Sequence, residues 1–346
     1  MTLTSRERMD GLREGPACGG PDRVPFVPSV YEHGARLIDR SPGPVSRDAD
    51  LMAQAALKAY ELYRHDIVTV GIDIYNVEPE AFGCRLSDGE DGSVPGVTTH
   101  PLADATANEI DQLPVPQPGE SNRLGVVEEA CRRVFAEIGD EVWVYGCMSG
   151  PFSQAVELRG FEQLILDTME DPELVHHLLE RTTALSIQQA CRLSETGCGV
   201  NLYESWATIP LITPALFAEY VVPYNRRVVA AVRHNYETEP PAVIMGGNIN
   251  LLVDFFVQVG TSLMAVDYKA DLDLVRAKTA GRQIIIRGCV DPKLIEREEW
   301  HALQQSIDEL ARKSRGLHQF AWGCGCVTYN TTAESVLRFK QMCLDA

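Results

Sequence analysis

Residues 263–292 read LMAVDYKADLDLVRAKTAGRQIIIRGCVDP, and this stretch decides the class of fold. An apolar run stops at Asp267, a segment with apolar residues at helical spacing follows, and a second apolar run, 284–286, stops at Arg287. Strand, helix and strand with short connections are the sequence form of a parallel βαβ unit. The polar residues that follow the strands of such units meet at one edge of the sheet, where α/β folds keep their chemistry.

The same unit can be traced along most of the chain. The predicted strands lie near residues 23–28, 66–70, 142–145, 197–202, 242–245, 263–266, 284–286 and 319–322. Long helices are predicted at 48–64, 124–138, 153–170 and 172–195. We therefore expect an α/β fold, a distorted (β/α)8 barrel in one domain, residues 1–346. It should have an N-terminal helical extension and an irregular insertion, residues 84–120, near the barrel mouth.

Composition and charge exclude several classes of protein. The 346 residues carry a net charge of −18, and no run of Lys and Arg would form a nucleic-acid-binding or membrane-binding stripe. The N-terminus lacks the apolar core of a secretory signal peptide, and no apolar stretch reaches the roughly 18 residues that span a bilayer. The ten cysteines are irregularly spaced, so we expect a cytoplasmic protein whose reduced thiols are core residues, metal ligands or catalytic groups.

Candidate reactive residues follow the predicted strands. If the barrel forms, acids and thiols that are far apart in the sequence face one cavity. Carboxylates could then bind cations or transfer protons, and clustered thiols suit zinc. Each residue also has a structural interpretation, because a carboxylate can cap a helix and a cysteine is often a small core residue. The candidates are Asp73, Cys147, Glu204, Asn248, Asp267, Cys289, Cys324 and Cys326.

Four segments resemble the uroporphyrinogen decarboxylase superfamily. They are the strand and turn at 66–83, Gly150-Pro151-Phe152-Ser153, Gly288-Cys289-Val290-Asp291-Pro292, and the strand end and helix start at 323–334. The resemblance covers nearly the whole chain in the family's order, and it implies the same distorted barrel. It also implies that Asp73 corresponds to the active-site aspartate of that family.

True decarboxylases of that superfamily share an N-terminal Arg-Gln-Ala-Gly-Arg segment whose arginines grip substrate carboxylates. The corresponding stretch here, 30–36, contains Tyr31, Glu32, His33 and Arg36, so at most one arginine is kept. A tetrapyrrole with many carboxylates would meet a poor electrostatic match. The resemblance therefore favours the branch of corrinoid- and thiol-linked methyltransferases of the methanol:coenzyme M type.

That branch implies a zinc site, which turns an acceptor thiol into the nucleophilic thiolate. Its ligands are a His-x-Cys pair after one strand and a Cys after the last strand. The His-x-Cys positions correspond here to Ile244 and Gly246, and the last ligand corresponds to Cys324 or Cys326. Zinc is therefore either lost or moved to a set such as Cys289, Cys324 and Cys326, and we favour its loss.

The leading hypothesis is a methyltransferase that moves a methyl group between a small molecule or carrier and an acceptor. A corrinoid or tetrahydrofolate would carry the methyl group, and the expected partners are a small-molecule substrate, a corrinoid carrier protein and a second copy of the chain in a homodimer. The alternatives are a cofactor-independent decarboxylase of uroporphyrinogen or a smaller carboxylate, and a non-catalytic barrel that binds a tetrapyrrole or corrinoid. The predicted catalytic residues are Asp73, Cys324 and Cys326, and the predicted substrate-binding residues are Tyr31, His33, Arg36, Tyr75, Phe152, Glu204, Asn248 and Asp267.

Overall fold

Parallel β-strands form the centre of the molecule. The computed structural model describes residues 3–15, 19–89, 92–119, 122–238 and 241–346. Within those residues every strand pairs in parallel with its neighbours. The strands are β1 (Phe26–Val30), β2 (Ile67–Val70), β3 (Trp143–Ser149), β4 (Gly199–Tyr203), β5 (Ala242–Ile244), β6 (Leu263–Val266), β7 (Ile285–Val290) and β8 (Phe320–Val327).

Helices surround the strands and alternate with them along the chain. The first group is α1 (Ser5–Glu14), α2 (Glu32–Leu37), α3 (Pro42–Val45), α4 (Ala49–Tyr63), α5 (Val77–Ala81), α6 (Ala107–Gln112), α7 (Arg123–Ile138), α8 (Pro151–Arg159) and α9 (Phe161–Glu170). The second group is α10 (Pro172–Glu195), α11 (Pro214–Tyr220), α12 (Val222–Asn235), α13 (Val253–Val259), α14 (Leu272–Thr279), α15 (Pro292–Glu296), α16 (Trp300–Ser314) and α17 (Ala333–Leu344). None of these helices combines the length and the apolar character that crossing a bilayer would require.

The barrel consists of two four-stranded sheets that meet at two seams. One sheet has the order β1-β8-β7-β6 and the other has the order β2-β3-β4-β5. At the first seam, Asp66 donates its backbone N–H to the Phe26 carbonyl and accepts the Phe26 N–H on its carboxylate. At the second seam, the Thr261 hydroxyl accepts the Val243 N–H and donates to the Leu263 carbonyl. Side chains thus replace the missing ladder bonds, which confirms the predicted distorted (β/α)8 barrel.

The interior of the barrel is a separate apolar cluster to which all eight strands contribute side chains. Because side chains alternate across a strand, every second residue points inward and the others pack against the helices. The inward set includes Val27, Ile67, Tyr145, Tyr203, Ile244, Ala265, Ile285 and Ala321. The prediction that one barrel gathers side chains from distant parts of the chain is therefore correct for this layer.

Two strands are longer than predicted, and this changes where their polar residues lie. The strand expected at 284–286 extends to Val290, and the strand expected at 319–322 extends to Val327. Arg287 and Cys289 therefore lie within β7, inside the barrel, instead of beyond its end. The helix expected at 153–170 is two helices, because Gly160 adopts a φ of 87° between α8 and α9.

A β-bulge in β8 separates the two cysteines of the Cys-Gly-Cys motif. Val27 pairs with Gly323, whereas Ser29 pairs with Cys326, so β8 contains one residue more than β1 over this interval. The extra residue reverses the alternation of side chains. Cys324 consequently packs in the outer core next to the helices, whereas Cys326 contacts the barrel interior.

The insertion at 84–120 is irregular, as predicted. It contains an isolated antiparallel bridge between Leu86 and Val97 and the short helix α6. Glu90, Asp91 and Glu120 lie outside the described residues. The segment passes over the carboxyl ends of the strands, where its residues form one wall of a cavity.

Candidate active site

A cavity of about 480 Å³ opens at the carboxyl ends of the strands. Its floor is the barrel interior and its walls are the loops that follow the strands, as in other α/β barrels. Residues from β1, β4, β5, β6, β7 and β8 reach it. The polar and reactive residues of its lining are Ser29, Tyr31, Tyr75, Tyr203, Ser205, Thr208, Asp267, Tyr268, Arg287, Cys289, Asp291, Lys293 and Cys326.

A second cavity of about 660 Å³ adjoins the first and shares Tyr75 and Ser205 with it. Its walls come from the insertion, including Val94, and from the segment after β4. Trp206 stacks on Phe161 with ring centroids 5.4 Å apart, and its indole N–H donates to Glu157. This chamber has fewer charged side chains than the first, and it suits the uncharged part of a substrate.

Tyr31 and Tyr203 meet inside the first cavity. Their hydroxyl oxygens lie 2.6 Å apart, and the Cys147 thiol donates to the Tyr203 oxygen at 3.9 Å. Burial raises the pKa of both phenols, and the nearby positive charge of Arg287 opposes that rise only in part. Both tyrosines are therefore neutral near pH 7, and the pair can present to a bound molecule the one hydroxyl proton that is not used in the bond between them.

Two thiols line the same cavity, and neither is in the reactive form. Burial raises the pKa of Cys326 to about 12, although a hydrogen bond with Tyr75 favours its thiolate. Burial also raises the pKa of Cys289, whose thiol donates to the Arg287 carbonyl at 3.6 Å. Because the thiolate is the nucleophile and the metal ligand, both groups are weak in these roles at neutral pH.

The residues present do not fit a zinc ion. Cys289 and Cys326 line the cavity, but Cys324 faces the helices on the other side of β8. The positions that would supply a His-x-Cys pair hold Ile244 and Gly246, which have no ligating side chain. Among the described residues, no group of three His, Cys, Asp or Glu side chains is placed to hold a metal.

Asp73 follows β2 as predicted, but it does not line either cavity. One carboxylate oxygen accepts the backbone N–H groups of Tyr75 and Asn76 and the Asn76 side-chain amide. The other oxygen accepts from Arg123 at 2.6 Å, and Arg123 also pairs with Glu80. Asp73 therefore shapes the turn that carries Tyr75 to the cavity, and its own oxygens are occupied.

Glu204 and Phe152 also have structural contacts. Glu204 is fully buried and accepts from the Phe152 N–H, the Ser153 N–H and the Ser153 hydroxyl at the first turn of α8. A side chain at Gly150 would overlap the Glu204 carboxyl, which explains the glycine of the Gly-Pro-Phe motif. Burial raises the pKa of Glu204 to about 7, against the lowering effect of these donors.

Glu78 is a buried carboxyl that the sequence analysis missed. One oxygen accepts the Ser149 N–H at 3.1 Å, and the other has no partner among the described groups. Burial raises the pKa of Glu78 to about 8. Glu78 lies in the short helix α5, and the residues that bury it are distant in sequence. No local pattern therefore indicated that it is buried.

The remaining predicted residues divide into two sets. Asp267 lines the cavity and also accepts the Lys269 N–H in its own loop. His33 is buried against the Tyr63 hydroxyl at 2.7 Å, Arg36 is exposed beside the Tyr329 ring, and Asn248 is exposed and caps its own turn. Tyr31, Tyr75, Asp267, Cys289 and Cys326 are thus brought together, whereas the other candidates lie outside the cavity.

Arg287 is a charged residue of the cavity that the sequence analysis did not propose as a site residue. It lies on the inner face of β7 between Ile285 and Cys289, it is 7% exposed, and it lines the cavity beneath the rim. The available signal was its position two residues before Cys289, which strand alternation places on the same face. Because the predicted strand ended at Ile286, strand alternation was not applied to Arg287.

Known proteins share this arrangement of strands and helices. The family model described as Uroporphyrinogen decarboxylase (URO-D) matches residues 17–344. The chain belongs to the uroporphyrinogen decarboxylase family. Within the family it is 26% identical over 305 residues to uroporphyrinogen decarboxylase 2, chloroplastic, of Arabidopsis thaliana. The aligned region covers 86% of this chain and 74% of the relative.

Methyltransferases are found among the relatives in this family as well. The chain is 26% identical over 341 residues to the methylcobamide:CoM methyltransferase MtbA of Methanosarcina acetivorans, with 95% of both chains covered. A solved methyltransferase from Methanosarcina mazei superposes with a TM-score of 0.81 at 21% identity over 98% of both chains. The chain therefore has the barrel of this family, and its relatives carry two different activities.

Proposed function

We propose that this protein is a methyltransferase that acts on a small molecule bound in the paired cavities of the barrel mouth. A corrinoid, free or on a carrier protein, is the proposed partner in methyl exchange. The proposal is supported by the methyltransferase relatives, which align over nearly the full length of both chains. Family membership alone supports decarboxylation equally, so the choice between the two depends on the cavity.

The observation that carries the proposal is the charge around the first cavity. Its lining contains two cations, Arg287 and Lys293, and two acids, Asp267 and Asp291. Arg36, the arginine retained from the decarboxylase segment, is exposed and directed at Tyr329. A tetrapyrrole with many carboxylates needs a cluster of guanidinium groups, and this lining has no excess of positive charge.

The neutral phenols supply the chemistry that methyl transfer needs. In the transfer, the bond between the methyl carbon and the donor heteroatom breaks, and the electron pair stays on the heteroatom. The methyl carbon forms its new bond to the acceptor nucleophile, and the departing heteroatom then requires a proton. The Tyr31–Tyr203 pair is neutral near pH 7, and the hydroxyl proton that is not used between the two tyrosines can be donated to that heteroatom or shared with it in a strong hydrogen bond.

Methyl transfer to reduced free cobalamin tests the proposal. The protein is incubated with cob(I)alamin and a panel of methyl ethers, methyl thioethers and methylamines, and methylcobalamin is followed by absorbance. We expect formation with at least one donor, a loss of rate in Tyr203→Phe, and an unchanged rate in Tyr236→Phe, which removes a surface phenol that contacts Glu195. Conversion of uroporphyrinogen to coproporphyrinogen without any methyl transfer would contradict the proposal and identify a decarboxylase.

A further inference from the structure

Buried arginines in this protein normally have a carboxylate partner. Three of them are 3–6% exposed, and each donates to a buried or partly buried acid. Removing a guanidinium from water is costly, and a carboxylate at hydrogen-bond distance compensates for that cost. The pairs are Arg8 with Asp66 at 2.7 Å, Arg123 with Asp73 at 2.6 Å, and Arg159 with Asp167 at 2.7 Å.

Arg287 breaks this rule. It is 7% exposed, yet it forms no ion pair with any described carboxylate, and its Nε has no hydrogen-bond partner. The groups that share the cavity wall with it are the thiol of Cys289 and the phenols of Tyr31 and Tyr203. These groups are neutral near pH 7, so none of them neutralises the guanidinium.

The barrel makes room for this side chain. Gly323 lies beside it on the neighbouring strand, and a Cβ at Gly323 would come within 2.6 Å of the Arg287 Cγ. A residue larger than glycine would therefore displace Arg287 from its position. The guanidinium is held at the cavity wall, and no acid among the described residues forms an ion pair with it.

We propose that Arg287 binds a carboxylate group of the substrate, with the free hydroxyl proton of the Tyr31–Tyr203 pair as a further donor. This inference rests on the proposed function, because it names the class of molecule whose methyl group is transferred. A planar guanidinium matches a planar carboxylate through two parallel hydrogen bonds. The carboxylate supplies the negative charge that each of the other buried arginines receives from the protein itself.

The rim of the cavity selects for a single negative charge. Asp267 and Asp291 line the same cavity as Arg287 and repel a second anionic group on the ligand. Lys293 is exposed at the start of α15 and is the other cation of this lining. A monocarboxylic acid with an uncharged body, directed into the chamber beside Trp206, fits this arrangement better than a dianion.

Binding of paired acids and amides tests the carboxylate site without any turnover. Benzoate and benzamide, and methoxyacetate and methoxyacetamide, are titrated into the full chain in a carboxylate-free buffer and followed by calorimetry and thermal stability. We expect the acids to bind and the amides to bind about ten- to hundredfold more weakly, as loss of a charge-assisted pair predicts. Equal binding of acid and amide, or no binding of any acid at millimolar concentration, overturns the inference.

Substitutions of two arginines test whether Arg287 causes the preference for acids over amides. Arg287→Gln should abolish the preference for acids over amides, and Arg287→Lys should restore part of it through a point charge. Arg282→Gln removes an exposed arginine just before the same strand, and it should bind benzoate as the natural protein does. Retention of the full preference in Arg287→Gln contradicts the inference.

The outcomes separate this site from the proposed function. Arg287-dependent binding of acids in a protein that transfers no methyl group would leave the site standing and remove the methyltransferase. Methyl transfer with equal kcat/KM for methoxyacetate and methoxyacetamide would keep the methyltransferase and remove the site.

Discussion

The Tyr31 hydroxyl lies 2.6 Å from the Tyr203 hydroxyl across the interior of the barrel. Tyr31 follows β1 and Tyr203 ends β4, and these strands belong to different sheets. The bond therefore links the two halves of the barrel at the floor of the candidate site. Burial keeps both groups protonated near neutral pH, which makes the pair a proton donor instead of a nucleophile.

The first prediction concerns this pair. Tyr203→Phe keeps the ring and removes the hydroxyl that faces Tyr31 and Cys147. We expect kcat for methyl transfer to fall by about 10²-fold with little change in KM, as for loss of a general acid. Steady-state kinetics measures the split. A rise in KM at constant kcat would instead give the phenol a role in binding.

The second prediction uses the pH dependence of stability. Burial raises the pKa of Glu78 from its ordinary value of 4.5 to about 8. The folded protein therefore holds this proton between pH 4.5 and 8, where the unfolded chain releases it, so stability is full below pH 4.5 and falls as pH rises to about 8. At about 1.4 kcal/mol per pKa unit, Glu78 accounts for a few kcal/mol of that fall.

Urea unfolding of Glu78→Gln across this pH range is the measurement. The amide cannot ionise, so the variant should lose less stability between pH 5 and 8 than the natural protein does. Glu170→Gln changes an exposed glutamate and should retain the natural pH slope. An identical slope in the natural protein and in Glu78→Gln would show that Glu78 titrates normally in the folded state.

The third prediction concerns Asp73. Because both of its oxygens are occupied, Asp73→Asn should act first on stability, with a loss of about 3 kcal/mol from the broken pair with Arg123. Glu80→Gln removes the partly exposed partner of the same arginine and should cost about 1 kcal/mol or less. Denaturant unfolding compares the two. Unchanged stability with complete loss of turnover in Asp73→Asn would give Asp73 a catalytic role.

The fourth prediction concerns the thiols and metal. With the pKa of Cys326 raised to about 12 by burial, very little thiolate exists at pH 7.5. We expect purified protein, made without added metal, to contain no stoichiometric zinc by elemental analysis. Iodoacetamide should modify Cys326 more slowly than it modifies free glutathione. Stoichiometric zinc that disappears in Cys326→Ser would refute the conclusion that the residues of the cavity do not bind zinc.

Local patterns in the sequence were enough to predict the barrel. The apolar run 263–266, the helical spacing after it and the glycines at the helix ends are short-range signals, and they define elements whose order leaves few arrangements. The positions of Tyr31, Tyr75 and Asp267 at the cavity follow from the same reasoning. Their placement required only that the strands point in one direction.

Contacts between distant segments could not be predicted. Whether Asp73 is free depends on Arg123, fifty positions later, and whether Glu204 is free depends on the first turn of α8. The bulge that turns Cys324 outward is a register shift between β1 and β8, which no local pattern encodes. Among the residues that the structure describes, no acid pairs with Arg287, and this is visible only when all surrounding strands are in place.

The unpaired state of Arg287 is tested most directly by comparing two buried arginines in ligand-free protein. Urea unfolding is measured for Arg287→Gln and for Arg159→Gln, whose natural side chain pairs with Asp167 at 2.7 Å. Arg159→Gln should lose about 3–5 kcal/mol, because it strands a buried carboxylate, whereas Arg287→Gln should be as stable as the natural protein or more stable. A loss in Arg287→Gln as large as that in Arg159→Gln would mean that the folded protein already neutralises Arg287, and the cavity would then hold no free guanidinium for a substrate.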